Sequence, residues 1–229
     1  LADDEVEVRV ELQGNDFAYQ PIDLTVHRDW ELQTLSPQYG YREGGYPITF
    51  GVKTPLPSLL TYTINVTVPE MNSSETYIIT DTYLGDGNKE ISFNMPAFED
   101  MFTFIDNENR TLTLNLDIKA SNGEKLITDA YTQFSQFSFI PKAVYDASTP
   151  YYMSEEGGLV FIHGTNIPST PYMKCRFDNN PLVVNATDIT SAGISCMIPS
   201  GLLTPGNTTI WVSSNEGYDW IKVQSPLQV

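Results

Sequence analysis

Positive charge is scarce in this chain: 12 Lys and Arg stand against 29 Asp and Glu over 229 residues, a formal net charge of −17. Nucleic-acid binding needs clustered basic side chains to neutralise phosphates, and no basic stripe exists, so that class of partner is excluded. Long apolar runs are missing too. No stretch approaches the roughly 18 apolar residues of a membrane-spanning helix. Histidine is limited to His27 and His163, and cysteine to Cys175 and Cys196. These four lack the spacing of a zinc site, and no Gly-x-Ser-x-Gly elbow is present to expose a nucleophile. Asp86-Gly-Asn88 lacks the alternating ligands of an EF-hand loop. The adjacent acids Glu99-Asp100 and Glu155-Glu156 would point to opposite faces of a strand, as solvating charges rather than an acid/base pair. The expectation is a protein that is not an enzyme and has no cofactor, with Ca2+ bridging acids between domains the one ion left open.

What is present builds cores. Hydrophobic residues make up 41% and charged residues 18%, alongside 15 Gly and 15 Pro, a balance that excludes wholesale disorder. The length suits two domains of ordinary size. Val6, Val8, Val10 and Leu12 alternate with Glu5, Glu7, Arg9 and Glu11, and Leu112, Leu114, Leu116 and Ile118 alternate with polar residues. Period-two alternation is the mark of half-buried antiparallel strands. Gly44-Gly45, Gly85-Asp-Gly-Asn88, Ser121-Asn-Gly123, Gly157-Gly158 and Asn215-Glu-Gly217 punctuate the strands as turns. Only Met95–Phe104 offers room for a turn or two of helix. Short strands with regular turns give an all-β chain of sandwiches.

The sequence also repeats itself. Shifted by 113 positions, Ser36-Pro-Gln-Tyr-Gly-Tyr-Arg-Glu-Gly-Gly45 overlays Thr149-Pro-Tyr-Tyr-Met-Ser-Glu-Glu-Gly-Gly158, matching Pro37 with Pro150, Tyr39 with Tyr152 and Glu43 with Glu156. The same shift sets Gly51 on Gly164 and Phe50 on His163, which reads as a strand residue with a local hydrogen bond. Ile91-Ser-Phe-Asn-Met-Pro96 overlays Ile194-Ser-Cys-Met-Ile-Pro199, and Ser121-Asn-Gly123 overlays Ser214-Asn-Glu-Gly217. Residues 33–140 and 141–229 therefore read as two copies of one fold, with residues 1–32 outside both. The tyrosines around the two Gly-Gly turns (Tyr39, Tyr41, Tyr46, Tyr151 and Tyr152) read as core or turn packing rather than a sugar-stacking platform.

The second unit resembles the IPT/TIG family of immunoglobulin-like domains. The residues that carry the likeness are the Pro before the Gly-Gly turn, Gly157-Gly-Leu-Val-Phe-Ile-His-Gly-Thr-Asn166, Cys196-Met-Ile-Pro199 and Trp211-Val-Ser-Ser-Asn-Glu-Gly217. The resemblance implies tandem immunoglobulin-like sandwiches and a disulfide between Cys175 and Cys196. In the looser first unit, Tyr62 and Phe93 stand at the cysteine positions and are expected to pack against each other.

Five N-x-[ST] sequons, at Asn65, Asn72, Asn109, Asn185 and Asn207, are about twice what the Asn, Ser and Thr content gives by chance. Asn65 falls opposite the Tyr62/Ile64/Val66 face, and Asn109 and Asn207 each precede a strand. N-linked glycans and an extracellular or cell-surface location are the expectation, with Leu1-Ala-Asp-Asp4 read as a mature terminus or a fragment edge. Residues 1–32 resemble the last hairpin of such a domain without the remainder. One face carries Val6, Val8, Val10, Leu12, Ile22, Leu24 and Val26, and the other carries acids. A lone hairpin is marginal in water, and its apolar face calls for a partner. Strand addition to another subunit would supply one. A head-to-tail contact of that kind does not close on itself, so copies of the chain build a fibre or surface appendage. The alternatives are a fragment of a receptor or adhesion ectodomain, whose partner is a neighbouring IPT-like domain, and a carbohydrate-binding accessory module of a secreted enzyme.

Overall fold

The computed structural model describes residues 5–7, 23–25, 30–70, 75–103, 110–123, 125–126, 135–178 and 182–229. Strands β1 (Glu5–Glu7) and β2 (Asp23–Thr25) pair antiparallel with Val6 opposite Leu24, as a two-stranded sheet of their own. Val8, Val10, Leu12, Ile22 and Val26 of the expected joining face lie outside the described residues, as does His27.

The first sandwich begins with β3 (Leu32–Ser36), β4 (Tyr39–Gly40), β5 (Pro47–Val52), β6 (Tyr62–Thr67), β7 (Thr76–Ile79), β8 (Thr82–Gly85) and β9 (Glu90–Asn94). A single turn of helix, α1 (Phe98–Met101), then leads to β10 (Leu112–Ala120) and β11 (Gln136–Phe139). One layer runs β3-β5-β9-β8 and the other β4-β11-β10-β6-β7. Alternation in the sequence becomes burial: Leu112, Leu114, Leu116 and Ile118 of β10 are all fully buried, as are Ile64 and Val66 of β6. They share one core with Ile48, Phe50, Ile91 and Phe93 from the facing layer. At about 1.5–3 kcal/mol for each fully buried large apolar side chain, these inward rows dominate the stability of the sandwich. Helix α1 occupies the segment with room for one. It corrects the strand reading of Glu99 and Asp100, which are exposed on a helical turn while Phe98 and Met101 point inward.

The second sandwich comprises β12 (Val144–Thr149), β13 (Gly158–Thr165), β14 (Lys174–Phe177), β15 (Val183–Thr190), β16 (Gly193–Ile198), β17 (Asn207–Thr208), β18 (Ile210–Ser213), β19 (Ile221–Lys222) and β20 (Leu227–Gln228). Its strands connect as β12-β13-β16-β15-β14-β18-β19. The run is continuous because β15 serves both layers: Val183–Asn185 pair with β14, then Ala186–Thr190 pair with β16. In the first sandwich β7 and β8 divide the same work, β7 on β6 and β8 on β9. Two further contacts run in parallel, Tyr39 with Ser138 and Tyr152 with Gln228. Each sandwich has its own apolar core, the second built around Val160, Ile162, Cys175, Phe177, Ile194, Cys196, Ile210 and Val212.

Strand register amends the sequence overlay. Phe50 pairs with Ile91, and Ile162, not His163, pairs with Ile194. With the two Ile-Ser segments set level, His163 stands at Gly51 and not at Phe50. The cause is one additional residue between Gly44 and the buried Ile48, compared with Gly157 and the buried Val160. His163 is a strand residue with a local bond, its Nε2 lying 2.7 Å from Thr149 Oγ1. Tyr62 and Phe93 are both buried in the first core; the Phe93 ring stacks on Phe50 at 6.0 Å, and the Tyr62 hydroxyl donates to the Pro57 carbonyl at 2.9 Å.

Candidate functional site

The segment between β3 and β5, with Pro37 in a cis peptide, carries an unusual density of aromatic and polar side chains: Gln38, Tyr39, Tyr41, Arg42, Glu43 and Tyr46. Tyr41 and Tyr46 are buried, at 5% and 7% exposure, and Arg42 at 8% lies over the Phe98 ring at 4.7 Å. Tyr46 donates its hydroxyl to the Tyr41 carbonyl at 3.0 Å, which fixes the turn around Gly44-Gly45.

This segment meets the second sandwich. Tyr172, in the β13–β14 connection, sets its ring 5.7 Å from that of Tyr39, tilted at 56°, and donates to Gln38 Oε1 at 3.2 Å. Ser36 Oγ donates to Glu216 Oε2 at 3.1 Å, and Lys142 Nζ lies 2.9 Å from a Glu43 carboxylate oxygen. The β18–β19 turn that receives Ser36 is held by its own side chains. Ser213 Oγ accepts the Asn215 and Gly217 amides at 3.3 and 2.8 Å. Asn215 Oδ1 accepts the Asp219 amide at 2.9 Å, and its Nδ2 donates to Asp219 Oδ2 at 2.8 Å. Ser213, Ser214 and Asn215 are fully buried; buried polar groups cost free energy unless bonded, which explains why Ser, Asn and a positive-φ Gly217 stand in this order.

Burial pushes the Tyr41 phenol up to about 12, the Ser214 hydroxyl acting in the opposite sense and Asp219 and Glu43 adding to the rise. Tyr46 is also pushed up by burial, with Asp219 and Glu43 nearby, and so is Tyr145. For a phenol, a raised folded-state pKa favours the neutral form. The junction therefore keeps its full stability below pH 10 and loses it as pH climbs from 10 towards 12. Denaturant unfolding measured from pH 8 to pH 12 should show a loss of about 2 kcal/mol from Tyr41, at about 1.4 kcal/mol per pKa unit with the folded phenol half ionised at pH 12. Tyr41→Phe should remove Tyr41's share of that loss and leave the part due to Tyr46 and Tyr145, and an unchanged slope in the variant would remove Tyr41 as a cause.

Cys175 and Cys196 are joined in a disulfide across the second core, with Cα atoms 6.4 Å apart, as the resemblance implied. Of the sequons, Asn65 sits half-buried on the outward face of β6, while Asn185 on β15 and Asn207 on β17 are exposed; Asn72 and Asn109 lie outside the described residues. Asn65 is opposite Ile78 and Asp117, and Asn185 is opposite Lys174, so both stand on the layer that contains β6 or β14. Among the described residues, no group of three or more His, Cys, Asp or Glu comes together, and no helix is long and apolar enough to cross a membrane. Packing holds for Tyr41 and Tyr46, but Tyr151 and Tyr152 are corrected: they are 43% and 69% exposed, edge to face at 4.9 Å. The junction itself was not anticipated from the sequence. The nearest signal was the cluster of five tyrosines around two repeated turns.

Two facing layers with a strand crossing between them, bridged by a buried disulfide, define an immunoglobulin-like β-sandwich. Residues 144–226, within the second sandwich, match the model of the IPT/TIG domain. A search of curated proteins found no match. Among solved structures, the chain is similar to the plexin A4 full extracellular region, at 13% identity and a TM-score of 0.40, covering 94% of this chain and 20% of that one. It is also similar to SGBP-B from a complex xyloglucan utilization locus in Bacteroides uniformis, at 14% identity and a TM-score of 0.29, with 87% and 49% covered. A third is Bacteroides ovatus mixed-linkage glucan utilization locus SGBP-B in complex with mixed-linkage heptasaccharide, at 14% identity and a TM-score of 0.30, with 89% and 48% covered. This chain spans between a fifth and about half of the length of these proteins.

Proposed function

We propose that this is a non-enzymatic, N-glycosylated extracellular structural protein in which two IPT-like sandwiches, residues 33–140 and 141–229, stack end to end. Copies of the chain would join head to tail into a fibre or surface appendage, with the N-terminal hairpin adding its strands to a neighbour. The observation that carries this reading is the junction. The turn segment of one sandwich packs against the β13–β14 and β18–β19 connections of the next, through the tilted Tyr39–Tyr172 ring contact and the Ser36–Glu216 hydrogen bond, and the Lys142–Glu43 pair ties it to the β11–β12 link. A contact that joins the end of one module to the start of the next repeats indefinitely when modules are added. Matching strand pairings, down to the two parallel contacts at Tyr39 and Tyr152, support reading residues 33–140 as a second copy of the fold. The disulfide and the exposed sequons at Asn185 and Asn207 suit an oxidising, secretory history.

A glycan-binding accessory role would draw on Tyr151 and Tyr152. Their rings meet at 84° and offer no flat platform for a sugar, which favours the structural role. Electron microscopy and sedimentation of the secreted, glycosylated chain test the reading. Filaments or concentration-dependent oligomers are expected. A chain that stays monomeric at high concentration, with its hairpin packed on its own first sandwich, would end it.

A further inference from the structure

Every contact at the junction has a donor end and a receiving end, and among the described residues one of each stands exposed. On the receiving end, Tyr39 takes Tyr172. Its counterpart 113 residues on is Tyr152, which makes the same parallel strand contact, follows a cis proline at the same offset and is 69% exposed. On the donor end, Tyr172 sits in the turn Pro171-Tyr172 of the β13–β14 connection. The first sandwich has the corresponding turn at Ser58-Leu59, between β5 and β6, and Leu59 is 96% exposed. A leucine so fully in water at a turn tip has no role in its own core, and Tyr151 beside Tyr152 is exposed as well.

The geometry points to a second copy of this chain as the occupant, with Leu59 of one molecule seated on the Tyr151–Tyr152 ring pair of another. The inference rests on the proposed reading of two stacked copies of one fold and gives the fibre a contact separate from the N-terminal hairpin. The polar half of the junction is not reproduced. The residue 113 positions before Lys142 is Asp29, an acid that cannot pair with Glu156, and Ser121-Asn-Gly123 lacks the glutamate that Ser36 reaches in the second sandwich. Apolar contact between chains of net charge −17 should therefore be weak, concentration-dependent and strengthened by added salt, which screens the repulsion.

Sedimentation equilibrium of the full chain, at low and high salt, tests this with Leu59→Asp, Tyr152→Asp and, for the hairpin, Val10→Glu. The wild type should associate, and each of the first two variants should weaken association by about tenfold or more, as loss of a central anchor does. Their far-UV spectra and melting midpoints should be unchanged, because both residues are exposed. A mixture of Leu59→Asp with Tyr152→Asp keeps one intact end of each kind and should associate more strongly than either variant alone. If association survives both substitutions but is lost in Val10→Glu, the Leu59–Tyr152 contact is wrong and the hairpin reading stands. If the wild type never associates, both readings fall.

Discussion

The Cys175→Ala/Cys196→Ala double variant is expected to lose about 3 kcal/mol of stability in the second sandwich and almost none in the first. The two cysteines are 21 positions apart, and on the chain-entropy account a closed loop of that size is worth about 3 kcal/mol, within the 2–5 kcal/mol that removal of a native bridge costs. Both half-cystines are fully buried. Cys175 lies on β14 opposite Val184 and Val212, and Cys196 on β16 opposite Val160 and Ala186. The bridge therefore ties the two layers at the centre of the core, and alanine leaves the lost sulfur volume unfilled. The first sandwich has Tyr62 and Phe93 in its separate core and should not respond. The chain's three tryptophans separate the effects, since Trp30 belongs to the first sandwich and Trp211 and Trp220 lie on the second, each facing Arg176. Guanidinium unfolding followed by fluorescence, with Trp30→Phe to silence the first sandwich, should give an early second-sandwich transition. An unshifted transition, or an equal shift in both sandwiches, would contradict the assignment.

How much of this was legible varies with the range of the interaction. Strands β6 and β10 could be read directly, because alternation along one strand records which face is buried, whatever that face meets. The division of β15 between two layers could not. Val-Val-Asn-Ala-Thr-Asp-Ile-Thr has no clean alternation, and every residue of the strand is exposed or half-buried. The Ser-Ser-Asn-Glu-Gly turn was recognisable as a motif, and its internal bonds explain the residue types. That it also receives Ser36, 180 positions away, is a property of how two sandwiches meet, on which local sequence is silent. Tyr39 and Tyr152 hold matching places before similar turns, yet one is half-buried and the other exposed, because Tyr39 has Tyr172 of the other sandwich against it. The missed register step after Gly44 has the same origin. Identical Gly-Gly pairs invite a gapless overlay, and only strand pairing reveals the extra residue before Ile48.

Those Gly-Gly pairs support the sharpest contrast between neighbours. Gly44→Ala should cost about 3 kcal/mol or more, while Gly45→Ala should cost about 1–2 kcal/mol. Both residues have positive φ, +62° and +85°, so both substitutions meet the left-handed penalty of roughly 1–2 kcal/mol. They differ in space. A Cβ on Gly44 would lie 2.6 Å from the Met95 and Pro96 carbonyl oxygens, whereas one on Gly45 meets nothing within 4 Å. Backbone cannot yield as a side-chain tip does, and here it is pinned: the Gly45 amide donates to the Met95 carbonyl at 2.8 Å and the Met95 amide to the Tyr46 carbonyl at 3.1 Å. The second sandwich repeats the asymmetry. A Cβ on Gly157, at φ +74°, would run into the Ile198 and Pro199 carbonyls, while Gly158 is open. Gly157→Ala should accordingly destabilise the second sandwich as Gly44→Ala does the first, and Gly158→Ala should resemble Gly45→Ala. Chemical denaturation of the four single variants gives the comparison. Equal losses within either pair would mean that backbone conformation alone selects these glycines. A larger loss at the first of each pair ties the Gly-Gly turn to the chain at the ends of β9 and β16.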